Sequence, residues 1–195
     1  MRVSSILSAA VAIFSIFAVA SPVAAPAPEL AIRDATSDAI TGHLTSCKTE
    51  LDTCHKKWTG TCSGSCKTTD IISWQKECAV IITKWTSTIK GDIPSGWKCP
   101  TVVISIIVKI VVEIIIAINV CLTFLLGKCG LLGGLLSLLL VLIASLLVEL
   151  KVAINGLLVV LALVIDGLLS LVVTLLVSLL GGATCFCCSL FGLIL

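Results

Sequence analysis

The chain has no tyrosine, no arginine after Arg33 and almost no charge in its second half. Past Cys99, 96 positions carry six charged residues: Lys109, Glu113, Lys128, Glu149, Lys151 and Asp166. Its net charge of +2 forms no basic stripe, so phosphate or base recognition has little to work with and nucleic acid is excluded as a partner. Only two histidines occur, His43 and His55, and neither half shows a nucleophile–base pair. No enzyme activity and no cofactor are expected. An Asn-x-Ser/Thr sequon is also missing, so glycosylation marks no side of a membrane.

What is present is apolar. Hydrophobic residues make up 58% of the 195 and charged residues 12%, against about 25% in ordinary globular domains. Residues 34–100 nevertheless hold eight lysines and seven acids, the composition of a soluble surface. Two chemically different halves meet near Pro100.

At the start, Arg2 precedes an apolar run from Ile6 to Ala20 that ends in Ala18-Val19-Ala20. A positive start, a short apolar stretch and small residues at that spacing predict a cleaved signal peptide, residues 1–20. Residues 21–33 form a Pro/Ala-rich spacer unsuited to helix or sheet. This leader and spacer, closed by Ile32-Arg33-Asp34, resemble those of small secreted cysteine-rich proteins of fungi, a resemblance of about 35 residues that implies secretion and no particular activity. In an oxidising compartment, the eleven cysteines read first as disulfide formers.

Residues 34–100 predict a cysteine-rich helical domain. Ile40, Leu44, Cys47, Leu51, Cys54 and Trp58 recur at spacings of three and four, as do Ile71, Trp74, Cys78, Ile81, Ile82, Trp85 and Ile89. Asp70 is the expected N-cap of the second helix, with Gly91 past its end. The polar loop 59–69 joins them as an antiparallel hairpin. The six disulfide candidates are Cys47, Cys54, Cys62, Cys66, Cys78 and Cys99. Counting from the loop brings Cys47 level with Cys78 and Cys54 near Cys62 or Cys66, leaving the other for Cys99. Zinc ligation by His43, Cys47, Cys54, His55, Cys62 and Cys66 lacks any C-x-x-C knuckle, so no metal is expected. His55, beside Lys56 and Lys57, reads as a solvated surface group, and Trp97 as a residue for a bilayer surface.

Residues 101–195 read as a transmembrane-like helical region. Three apolar runs, 101–126, 131–150 and 157–180, each reach the length of about 20 residues that a spanning helix needs. They are divided at Gly127–Gly130 and by a turn signal at Asn155-Gly156. The expected fold is mainly α: a disulfide-stapled helical hairpin followed by an apolar, about three-helix membrane bundle. Lys109 and Asp166 fall at similar depths below the starts of runs one and three, about 12 and 14 Å at helical rise. An intramembrane cluster of Lys109, Glu113 and Asp166 is therefore expected. Cys185, Cys187 and Cys188 are acylation candidates near a helix end.

The functional expectation is a membrane-embedded cell-surface or envelope protein with a small disulfide-bonded outer domain. A lipid bilayer or apolar interface, and further copies of the chain, are its expected partners. Two competitors are a secreted interfacial amphiphile and a membrane-active toxin. Hydrophobins, which coat interfaces, carry two Cys-Cys doublets, whereas only Cys187-Cys188 is adjacent here.

Overall fold

A computed structural model describes residues 34–129 and 147–179, of which 83% are helical, with no strand among them. The leader, the spacer, most of the second apolar run and Cys185, Cys187 and Cys188 lie outside the described residues.

Helix α1, Ala35–Thr61, starts where Asp34 caps it: Oδ1 accepts the Ser37 N–H at 2.7 Å. The other carboxylate oxygen takes the indole N–H of Trp97 at 2.8 Å, tying this helix start to a later linker. Those hydrogen bonds, Trp97 first, hold the Asp34 carboxyl below its usual range. One face of α1 buries Ile40, Leu44, Cys47, Leu51 and Cys54, the stripe expected from the spacing. The outer face carries Thr41, Thr45, Thr49 and Thr53, each hydroxyl donating to the carbonyl four residues back, so these mid-helix threonines leave no polar group idle.

Helix α2, Thr68–Asp92, starts two residues before the expected cap. Asp70 sits inside the first turn and reaches back to accept the Lys67 N–H at 2.8 Å. The helix runs antiparallel to α1, and ion pairs fix the register: Lys57–Glu77 at 2.7 Å, Glu50–Lys84 at 2.7 Å and His43–Asp92 at 2.7 Å. Each step of seven on α1 is matched by seven or eight on α2, two helical turns at a time. This register places Cys54, not Cys47, opposite Cys78. Counting outward from the loop assumed a symmetric hairpin, whereas α2 is slid along α1 by about two turns, the seven residues between Cys47 and Cys54.

Pro100 precedes α3, Thr101–Lys128, whose Ile/Val-rich run is helical along its full length, as its span demands. Its small and polar residues at every fourth position, from Thr101 to Cys121, do not stay on one face. Four residues overshoot a turn by about 40°, so Thr101 and Lys109 are exposed while Cys121 is buried.

The third apolar run is broken. Helix α4, Val148–Ala162, passes straight through Asn155-Gly156, and α5, Leu168–Leu179, begins after a turn at 163–167. Of two turn-forming dipeptides, Asp166-Gly167 is the one used, with Gly167 at φ +73°. Nothing lies within 4 Å of a Cβ added there, so Gly167→Ala is expected to cost only the left-handed backbone penalty, about 1–2 kcal/mol, read as a lowered denaturation midpoint. Both helices are too short to span a bilayer, and among the described residues only α3 is long and apolar enough.

The α1–α2 hairpin lies against the apolar helices: α3 packs on α1, α4 on α2, and α5 bridges α3 and α4. Buried residues from all five helices, from Ile40 to Leu176, form one continuous core. The chemical break near Pro100 is therefore not a break in packing. Two backbone bonds fasten the seam: Cys66 N–H to Lys128 O at 3.4 Å, and Cys99 N–H to Val164 O at 3.0 Å.

Candidate functional site

The thiols gather where α1 ends. Cys62 closes α1 through its N–H to Trp58 O at 2.9 Å, and Cys66 follows in the short loop. Their sulphurs are 2.7 Å apart and both residues are buried. The bond from the Cys66 N–H to Lys128 O, 3.4 Å, brings Cys129, just past the end of α3, into the neighbourhood of Cys66. Asp70 completes the group: one ligand atom from each of Cys62, Cys66 and Asp70 lies within 4.8 Å of the other two. Burial, and then the neighbouring thiols, push Cys62 up to about 12; burial leads again in raising Cys66 to about 11.

Two turns back on α1 lies a second group. Cys54 Sγ is 3.8 Å from Cys78 Sγ, and His55 Nε2 is 3.8 Å from the same sulphur. His55 is buried rather than solvated, its ring 6.0 Å from that of Trp74. The helical wheel explains the difference: three residues ahead of Trp58 and four after Leu51, His55 faces α2, while Lys56 and Lys57 face water.

A cysteine beside a histidine invites comparison with a nucleophile and its base, but the two groups are shifted the wrong way. Burial pushes His55 down to about 4, with Asp52 opposing weakly. The hydrogen bond from Cys54, then burial, pushes the Cys78 thiol up. Near neutral pH both are uncharged, so no thiolate–imidazolium pair forms. Above this group a shallow depression of about 290 Å³, lined by Thr49, Glu50, Thr53, Lys57, Glu77 and Ile81, is crossed by the Lys57–Glu77 ion pair. Trp58 also donates its indole N–H to Glu77 at 2.8 Å, so the acid is fully engaged.

The remaining expected site residues separate. Cys47 is buried alone in the hairpin, and Cys99 turns its thiol to the Pro100 carbonyl at 3.6 Å, far in the fold from the loop cysteines. Asp166 is 91% exposed in the α4–α5 turn, 3.3 Å from Lys98, and Glu113 lies 3.9 Å from Lys48 of α1. Both acids thus meet lysines of the first half, because the third run bends at Asp166 and α3 lies beside α1.

Among the described residues, large exposed apolar side chains fall mainly on α4, α5 and the turn between them, with Val120 on α3 and Val80 on α2 besides. Val148, Val152, Val159 and Leu163 are each at least 53% exposed and fall within about 60° of one another on α4 and its end, with Leu169, Leu171 and Val177 exposed on α5. Helix α1 exposes none of that kind, and α2 only Val80. No protein-family model, no curated protein and no solved structure matches this chain.

Proposed function

We propose that this protein is an amphiphile of membrane surfaces, reached through the secretory pathway. In this reading the α4–α5 side enters the apolar phase and the charged α1–α2 hairpin stays in water. What carries it is the concentration of exposed large apolar residues: seven of the nine among the described residues lie on α4, α5 and the turn between them. Fully burying a Val or Leu gains about 1.5–3 kcal/mol, so even partial transfer of this set is worth on the order of 5–10 kcal/mol. Affinity for a membrane surface scales with apolar area buried in this way.

A spanning reading is weaker. Helix α3 is about 42 Å long at helical rise, enough to cross. Yet it is packed along α1, whose charges would each cost about 2.5–3.5 kcal/mol at the bilayer centre. Lying flat avoids that cost.

The Cys54 and Cys78 thiols, 24 residues apart in sequence, are the pair placed to staple the hairpin. Exchange with a small-molecule disulfide would join their sulphurs and release two reduced thiols, stabilising the hairpin by about 3–4 kcal/mol for a loop of that length.

Flotation of the full chain with phosphatidylcholine vesicles tests the proposal. The protein is expected to float with the vesicles in high salt and to be released at alkaline pH. All four tryptophans lie at or before Trp97, so lipids brominated deep in their acyl chains should quench fluorescence only weakly. Val152→Lys combined with Val159→Lys should lower partitioning about 10–100-fold. A chain that stays monomeric in water and ignores vesicles defeats this reading; strong quenching and retention at alkaline pH would return the spanning one.

A further inference from the structure

We propose that Cys62, Cys66 and Asp70, whose ligand atoms lie within 4.8 Å of one another, form a site for a soft divalent cation of the zinc class, with Cys129 turning in as the fourth ligand. The first three groups fall in one stretch of nine residues and Cys129 comes from the end of α3, and backbone bonds fix each of them. Cys62 is held by Trp58 O, Cys66 by Lys128 O at 3.4 Å, and Cys129 by Leu125 O at 3.0 Å. Asp70 is held by the first turn of α2, where one carboxylate oxygen takes the Lys67 N–H and the other is left for a cation.

The donor set suits the ion. Three thiolates and one carboxylate complete a tetrahedral shell, and closure without an open position marks a structural rather than a catalytic metal. Zinc–sulphur bonds of about 2.3 Å put neighbouring sulphurs about 3.8 Å apart in a tetrahedron. The Cys62 and Cys66 sulphurs, at 2.7 Å, must part by about 1 Å, a movement that rotation about one Cα–Cβ bond supplies. A disulfide between them would use two of the thiols and leave a third thiol and a carboxylate unexplained beside it. A cation uses all four.

The site would also fasten the fold. It joins the end of α1, the start of α2 and the end of α3, so binding stabilises the junction between the charged hairpin and the apolar layer. Each thiol gives up its proton to solvent on binding. Because filling the site releases these protons, affinity must rise with pH. Sequence spacing hides the site: C-x-x-x-C followed by an acid four residues on is no knuckle, and Cys129 arrives only through folding.

The proposal stands independently of the surface reading, and its test uses no lipid. The full chain, reduced and held in detergent micelles, is titrated with Co²⁺ alone. One equivalent is expected to give an intense thiolate-to-cobalt band in the near ultraviolet with the visible bands of a tetrahedral site. Zinc should abolish both and release protons. Cys62→Ser or Cys129→Ser should weaken cobalt binding more than tenfold, and Asp70→Asn, which keeps the helix-start hydrogen bond, about tenfold with shifted visible bands. Cys99→Ser should change nothing, and helicity by circular dichroism confirms that each variant is folded. A folded, reduced chain with no thiolate-to-cobalt band overturns the site. So does isolation of the chain with Cys62 and Cys66 joined to each other.

Discussion

Trp74→Ala is expected to lower the free energy of unfolding by about 3–5 kcal/mol, the largest single-residue effect in this fold. Trp74 is wholly buried in α2 and touches two other helices. Its ring faces His55 of α1, and its indole N–H, near Cys121 of α3, is buried without a hydrogen-bond partner. Truncation therefore opens a cavity at the point where the polar hairpin meets the apolar layer. Trp74→Phe separates the two contributions. It keeps most of the volume and removes an N–H that has no oxygen partner, so its cost should stay under about 1.5 kcal/mol. Denaturant unfolding followed by circular dichroism and by the fluorescence of the other tryptophans provides the measurement. One core shared by both halves requires the two signals to move together in both variants. Fluorescence change well ahead of helix loss, or an alanine variant within about 1 kcal/mol of the parent, would show that the hairpin and the apolar helices are separate units.

The parts of this fold that were legible in the sequence are those set by local rules. The stripes of α1 and α2 follow from spacings of three and four, and α3 follows from a run too long for a strand. What escaped was set by contacts between elements. Hairpin register depends on a slide of about two turns, which no count from the loop reveals, and it brings Cys54 rather than Cys47 to Cys78. His55 appeared polar by its neighbours Lys56 and Lys57, although its helical phase points it inward. The choice between Asn155-Gly156 and Asp166-Gly167 as the turn rests on packing of α4 against α2, since both dipeptides have turn-forming chemistry. Apolar composition past Pro100 was equally ambiguous. It fits three spanning helices or a layer covered on one side by a charged hairpin, and only the packing of α3 on α1 distinguishes them. The thiol cluster shows the same limit, for its members lie as far apart in sequence as Cys62 and Cys129.

Lowering the pH from neutrality should destabilise the fold well before its carboxylates titrate, and His55 should be the cause. Buried against Trp74 and beside Cys78, with Asp52 the only opposing influence, its imidazole is held neutral down to about 4, against 6.5 when exposed. Between those values the unfolded chain binds a proton that the folded chain refuses. Stability is then complete above about 6.5 and falls with decreasing pH until about 4, where the folded form also protonates. The full drop corresponds to about 3 kcal/mol. Asp34, Glu50 and Glu77 are all depressed by their hydrogen bonds, so their contributions are present above 3.8 for the aspartate and 4.5 for the glutamates, and lost only below. The window from about 6.5 to 5 therefore belongs to His55. Unfolding free energies of the parent and of His55→Gln, compared across that window, should show a slope in the parent that the variant lacks. Equal slopes would mean that the imidazole reaches water in the folded protein, and the packing of α1 on α2 at Trp74 would need revision.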